Sequence, residues 1–116
     1  MTKILIQIPC FNEEEVIEET LASVRKSIKD INDIEILIIN DGSTDNTYEI
    51  VKKNKVEHII SHDRNLGLGI AFQSGLDFAK KNSYDYLINL DADNQYKSEY
   101  INELIEKIKN ENLDII

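Results

Sequence analysis

Two aspartates, Asp91 and Asp93, stand two residues apart directly after an apolar run, in Leu90-Asp91-Ala92-Asp93-Asn94-Gln95. Side chains two apart on an extended backbone point the same way, so both carboxylates can face one cation. Hard oxygen ligands of this kind suit Mg²⁺ or Mn²⁺ bridging to a diphosphate, and Gln95, next in phase, offers a neutral oxygen. Among ten aspartates in 116 residues, about one Asp-x-Asp pair arises by chance, so the spacing alone is a weak signal. Its place at the end of a predicted buried strand gives it weight. Three more polar segments occupy the same kind of place: Pro9-Cys10-Phe11-Asn12-Glu13-Glu14, Asn40-Asp41-Gly42-Ser43-Thr44-Asp45 and Arg64-Asn65-Leu66-Gly67-Leu68-Gly69. Ligands of open α/β sheets bind in the crevice outside the carboxyl ends of the strands. The four loops therefore read as one site, for a phosphate-bearing substrate held with a divalent cation.

Within these loops, Asp41 precedes every helix-capping position, and its carboxylate could accept the N–H of a nucleobase. Gly42 permits a tight turn or a close backbone approach. One of Ser43, Thr44 and Asp45 is expected to cap the helix that follows. The Asn65–Gly69 run is not a dinucleotide fingerprint: the third glycine would be residue 72, which is Phe72, and no Walker lysine follows. What remains is a flexible helix entrance, or a loop at Gly67 whose backbone approaches phosphate or sugar at a helix N-terminus. Arg64 reads as a surface charge. Glu13, Glu14 and Glu15 suit the first turn of a helix without further purpose. His58 and His62 lack metal-ligand spacing and read as isolated, structural or solvated residues. Cys10, with no base beside it, reads as a small buried hydrophobe. An EF-hand loop fails because Tyr96 stands where glycine is required.

The elements that must position these loops alternate strictly. Lys3–Pro9 is a β-branched apolar run, hence a strand. A helix should follow, with Asn12 as N-cap and Glu15 completing a capping box, its core face formed by Ile17, Leu21, Val24 and Ile28. Ile34–Asn40 is a near-continuous apolar strand, the pattern of a sheet covered on both faces. A short helix over about Thr44–Lys53 leads to a strand near Glu57–Ser61. The next helix spans about Leu68–Lys81, with Ala71, Gly75 and Phe78 on one face, and Tyr84–Leu90 is a strand. Ser98–Glu111 carries the cleanest stripe, Ile101, Leu104, Ile105 and Ile108, before Leu113–Ile116 begins a fifth strand. Alternating β and α elements imply right-handed crossovers and a mostly parallel sheet with helices on both faces, a Rossmann-like α/β fold. No repeat, linker or low-complexity segment interrupts it.

At 116 residues the chain has room for a single domain, and its 41% hydrophobic and 30% charged residues are ordinary for a soluble globular protein. The net charge of -9 argues against nucleic acid or an acidic membrane as a direct partner. An acidic protein that binds phosphate must recruit a cation locally. One cysteine excludes an internal disulfide and fits a reducing compartment. No signal peptide is present and the apolar runs fall short of a membrane span, so a cytoplasmic protein is expected. A chain that halts inside a strand reads as an incomplete domain, residues 1–116 of something longer. The uncovered sheet edge this leaves is expected to favour self-association.

Taken in order, IPCFNEEE, INDGSTDNT, RNLGLGIAFQSGLDFA and LDADNQY resemble the nucleotide-diphospho-sugar glycosyltransferases of the large inverting family 2, with the GT-A fold. The resemblance covers essentially the whole chain, and the joint occurrence is far more specific than any one motif. Within the family it is most similar to the dolichyl- and polyprenyl-phosphate sugar synthases. The resemblance implies that Pro9, Phe11 and Glu13 line the nucleotide pocket, that Asp41 binds the base, and that Gly67 lets its loop approach the donor. It places Asp91 by the ribose and metal, with Asp93 and Gln95 holding Mg²⁺ or Mn²⁺ on the diphosphate. The implied donor is a UDP- or GDP-linked sugar, and the implied acceptor is a polyprenyl phosphate, which would make the full-length protein peripheral to the membrane. Two departures stand out: Asn94 where the family often has glycine, and Phe11 where tyrosine is common. The family's catalytic base and acceptor region lie beyond the segment matched, so this chain is expected to carry the donor half of a site. A non-catalytic donor-binding fragment is the nearest alternative. A response-regulator receiver is remote, because the first strand ends in Pro9-Cys10-Phe11-Asn12 rather than an acidic pair and the third near Ser61-His62 rather than an aspartate. A sugar nucleotidyltransferase would need a basic, glycine-rich loop after the first strand.

Overall fold

A computed structural model describes residues 3–28, 33–93 and 98–111. Its elements follow the expected order: β1 (Ile4–Cys10), α1 (Ile17–Ser27), β2 (Ile34–Asp41), α2 (Thr47–Lys53), β3 (His58–His62), α3 (Leu68–Lys81), β4 (Tyr86–Asn89) and α4 (Ser98–Glu111). The four strands form one parallel sheet in the order β3-β2-β1-β4, with Ile4 opposite both Ile34 and Tyr86, and Asp41 opposite His62.

The continuous apolar runs of β1 and β2 follow from burial on both faces. Ile4, Ile6, Ile8, Ile34, Ile36 and Ile38 pack with Ile17, Leu21 and Val24 of α1, Val51 of α2, and Ile101, Ile105 and Ile108 of α4. Leu5, Leu37, Ile39 and Leu87 face the other way, against Ala71 and Ala79 of α3. Each fully buried Ile or Leu contributes about 1.5–3 kcal/mol relative to exposure. The small residues of α3 let its backbone come close to the sheet. Gly75 in particular sits over Gln7, whose side chain is fully buried; a Cβ on Gly75 would lie 1.4 Å from Gln7 Oε1. Gln7 Nε2 donates to Asn89 Oδ1 at 2.8 Å.

After β3 the chain crosses over α3 to reach the far side of β1. The strand order therefore switches direction between β1 and β4, and ligands of open α/β sheets bind outside the carboxyl ends of the strands at such a point.

The structure corrects several boundaries. No capping box starts α1: Asn12 has φ +52° and lies four residues before the N-cap, Val16, which makes no side-chain cap bond. The expected second helix loses its first three residues to the loop and begins at Thr47. β4 begins at Tyr86 rather than Tyr84, where the N–H groups of Asp85 and Tyr86 both reach Lys3 O. The expected fifth strand at Leu113–Ile116 lies outside the described residues. Among the described residues, no helix is long and apolar enough to cross a membrane.

Candidate functional site

The loops after β1 and β2 are fastened to each other. Asn12 N donates to Ser43 Oγ (3.0 Å), Glu13 N to Thr47 Oγ1 (2.9 Å) and Glu14 N to Asp45 Oδ2 (3.3 Å). In return, Thr44 N donates to Asn12 Oδ1 (2.7 Å) and Asn46 N to Glu14 Oε2 (3.0 Å). Asp45 also accepts from Thr47 N at 2.9 Å, but none of the three capping candidates holds the cap: the N-cap of α2 is Asn46, which makes no side-chain cap bond. Burial raises the Asp45 carboxyl, but the Thr47 hydroxyl and backbone donors outweigh it and hold the group below the usual range.

Asp41 closes β2 and is almost wholly buried. Its Oδ1 accepts from His62 Nδ1 (2.8 Å) and Leu66 N (2.9 Å), and its Oδ2 from Gly67 N (2.9 Å). Desolvation raises this carboxyl, yet the His62 hydrogen bond and the two backbone N–H groups prevail, so it stays ionised below the ordinary aspartate range. On its other side, His62 Nε2 lies 3.0 Å from Ser74 Oγ on α3. Two glycines make the arrangement sterically feasible. Gly42, at φ +74°, lets its backbone pass against Arg64 and Asn65, where a Cβ would sit 2.1 Å from Arg64 C. Gly67 holds φ +98° and ψ +162° at the N-cap of α3, a region essentially confined to glycine.

Asp91 and Asp93 follow β4 in a turn rather than on extended backbone, since the strand stops at Asn89. Both are exposed, on either side of the buried Ala92. Thr20 Oγ1 of α1 donates to Ala92 O at 2.6 Å, and Leu90 N to Gln7 O at 3.0 Å, pinning the segment to the core. Glu13 lies close enough to this turn that, after its own burial, the Asp93 charge and then Asp45 push its carboxyl above the usual range. Carboxylates that repel one another, as Asp93 and Asp45 do Glu13, suit a hard divalent cation that would relieve them. Among the described residues no group of three or more His, Cys, Asp or Glu forms a complete metal cage. Gln95 lies outside the described residues.

Pro9, Phe11, Glu13, Asp41 and Gly67 come together with Cys10, Asn65 and Leu68 around one cleft of about 260 Å³. Phe11 and Leu68 form an exposed apolar lip, 42% and 76% accessible. Cys10 forms part of the floor. Burial, with Glu13, Asp45 and Asp41 nearby, pushes its thiol up to about 12, so it is an inert wall as expected. Arg64 is exposed.

His62 was missed as part of this group, and its reading as an isolated residue is corrected: it bridges Asp41 and Ser74. The parallel register opposing Asp41 and His62 was the signal that could have found it. His58 is not isolated either; it contacts Glu35 (2.9 Å) and Tyr84 (3.0 Å) at the other end of β3, away from the cleft.

The parallel α/β fold is shared with known proteins. The family model for glycosyl transferase family 2 matches residues 5–116. The uncharacterized glycosyltransferase YkcC of Bacillus subtilis is 37% identical over 109 residues, covering 90% of this chain and 33% of that protein. The structure of Staphylococcus aureus TarS residues 1–349 in complex with UDP-GlcNAc superposes with a TM-score of 0.78 at 26% identity, over 93% of this chain and 31% of that one. Glucosyl-3-phosphoglycerate synthase of Mycobacterium tuberculosis, in complex with Mn²⁺, UDP and glucosyl-3-phosphoglycerate, gives 0.77 at 21% identity, over 94% and 40%. That last likeness concerns the fold alone. This chain spans at most about half the length of the curated relatives it matches. Its four loop motifs, its strand order and the family match across 5–116 agree: the chain belongs to glycosyl transferase family 2.

Proposed function

We propose that this chain binds the donor of a glycosyl transfer, a UDP- or GDP-linked sugar, and that the protein carrying it moves the sugar to an acceptor with inversion. The observation that carries this reading is the convergence of Pro9, Phe11, Glu13, Asp41 and Gly67 on one cleft, with the Asp93 carboxylate close to Glu13. Asp41 would accept the base N–H, Phe11 would cover the base with its exposed ring, and Gly67 would let the α3 loop approach the donor. Asp91 and Asp93, joined by Gln95, would hold Mg²⁺ or Mn²⁺ on the diphosphate, with Asp91 also near the ribose. When bound, such a cation acts as a Lewis acid that stabilises charge on the diphosphate. In the transfer itself an acceptor oxygen attacks the anomeric carbon, the bond from that carbon to the diphosphate oxygen breaks, and the acceptor proton passes to a carboxylate base. No residue described here is given the role of base.

The finer placement among the dolichyl- and polyprenyl-phosphate sugar synthases, with a lipid-phosphate acceptor and a peripheral cytoplasmic setting, rests on the resemblance of the Asp91–Gln95 run. Self-association through a sheet edge is the natural companion proposal; β4, only four residues long, forms one edge of the sheet.

Thermal unfolding of the chain with UDP- and GDP-sugars, with Mn²⁺ and with chelator, tests the donor site. Ligand at a hundred times its dissociation constant adds about 2.7 kcal/mol. A metal-dependent rise that disappears in Asp93→Ala supports the reading. No shift in a cooperatively folding chain sinks it.

A further inference from the structure

We infer that Thr20 of α1 and Gln7 of β1 are positioning residues for the Asp91–Asp93 turn, and that they set how tightly this turn holds a divalent cation. The inference rests on the donor-binding reading above, in which Asp91 and Asp93 carry the cation. Both aspartates lie beyond the last paired residue of β4, Asn89, which stands opposite Gln7. Three hydrogen bonds from neighbouring elements fasten the segment there. Leu90 N donates to Gln7 O at 3.0 Å, Gln7 Nε2 to Asn89 Oδ1 at 2.8 Å, and Thr20 Oγ1 to Ala92 O at 2.6 Å.

The Thr20 bond acts on the carbonyl between the two aspartates. A hydroxyl has one proton to give, and two carbonyl oxygens are within reach: Val16 O, in its own helix, at 3.2 Å, and Ala92 O at 2.6 Å. Val16 O already accepts Thr20 N at 3.0 Å. The shorter contact takes the proton across to the turn. Thr20 is 1% exposed and Ala92 4%, so water is poorly placed to replace either partner.

The same helix is anchored to Glu13. Glu13 O accepts from Val16 N at 3.1 Å and Ile17 N at 2.9 Å, and Thr20 stands one turn further on. One end of α1 thus fixes the Glu13 main chain and the next turn fixes Ala92, so α1 spaces the Glu13 segment from the Asp91–Asp93 turn. Gln7 works from the other face of the sheet. Its fully buried amide lies against Gly75 of α3, where an added Cβ would meet Oε1 at 1.4 Å, while Nε2 holds Asn89. Groups behind the ligands of a metal site fix the ligand geometry in this way, and losing one weakens the metal rather than its co-ligand.

Isothermal titration of the 116-residue chain with UDP and with GDP, each in Mn²⁺ and in chelator, gives the factor by which the cation strengthens nucleotide binding. Thr20→Val exchanges the hydroxyl for a methyl of similar shape and should lower that factor about tenfold, with the affinity in chelator unchanged within about twofold. Thr20→Ser keeps the donor and should keep the factor. Val24→Ala, at a fully buried position on the same helix, removes neither bond and should keep it too. A folded Thr20→Val with an unchanged factor overturns the inference and leaves the donor site standing. An equal fall in Val24→Ala also overturns it, since general loosening would then suffice. Should Thr20→Val not fold, Asn89→Ala removes the acceptor of the Gln7 amide, and an unchanged factor there overturns the inference. No effect of Mn²⁺ on either nucleotide in the folded, unsubstituted chain overturns this inference together with the cation part of the donor-site reading.

Discussion

Replacing Gly42 by alanine should damage the protein far more than replacing Gly67, although both residues hold a positive φ, +74° and +98°. At Gly67 an added Cβ meets nothing within 4 Å, so Gly67→Ala incurs backbone strain alone, about 1–3 kcal/mol. At Gly42 the strain is similar, but the Cβ also falls 2.1 Å from Arg64 C, 2.3 Å from Asn65 N and 2.7 Å from Arg64 Cα. Ordinary contact begins near 3.4 Å, and these are backbone atoms, so the whole 64–67 segment would have to retreat by about 1.3 Å. Such a retreat takes Leu66 N and Gly67 N, both 2.9 Å from Asp41, out of hydrogen-bond range. A hydrogen bond to a charged group contributes about 1.5–3 kcal/mol, so losing even one brings the expected total to about 3–5 kcal/mol. That is a large part of the 5–15 kcal/mol typical of a small domain. Urea unfolding followed by far-ultraviolet circular dichroism measures both variants by linear extrapolation. Values within about 1 kcal/mol of each other would mean that the close approach at Gly42 costs nothing to disturb, and the reasoning would fail.

Two further outcomes are expected. Asp41 and Asp45 both titrate lower in the folded chain than the ordinary aspartate value of about 3.9. Their stabilisation is thus complete above that value and lost as pH falls through the lower folded values, where the unfolded state binds more protons. Asp41→Asn should be less stable by about 2–3 kcal/mol at neutral pH and show a flatter acid limb in urea titrations; an unchanged acid limb would contradict this. Gly75→Ala should destabilise by about 1–3 kcal/mol, because its Cβ lands on the buried Gln7 amide. In a Gln7→Ala background the same change should instead stabilise, by up to about 1 kcal/mol of helix propensity, and a double-mutant cycle that shows no reversal of sign rejects the contact.

The elements defined by their own burial were legible in the sequence. The apolar run at Ile34 and the stripes of the helices beginning at Leu68 and Ser98 each specify their element through side chains that belong to it. The start of α1 was not legible, because Asn12–Glu15 imitates a local cap while its donors find partners 31 to 34 residues away. Asp41 and the Gly67 loop stood out because residues of those types just beyond strand ends have few other reasons to be there, whereas Pro9, Phe11 and Glu13 came only from the family resemblance. His62 did not stand out, since its role depends on the register between β2 and β3 and on Ser74 one element further on. The Asp91–Asp93 pair was argued from extended backbone, whereas β4 ends at Asn89 and the two exposed aspartates follow it around the buried Ala92.

The mutual fastening of the β1–α1 and β2–α2 loops also bears on how the chain folds. At 11 residues, α1 is shorter than the roughly 12–15 residues at which isolated helices become even marginal in water. Its lead-in donors at Asn12, Glu13 and Glu14 have no acceptor until Ser43, Asp45 and Thr47 arrive. β1 and α1 together therefore cannot form an autonomous unit. Those contacts join β1–α1 to β2–α2 across a register that opposes Ile4 to Ile34, so the four elements depend on non-local pairing. The β1 and β2 walls of the cleft are thus a property of two β-α units closing on each other.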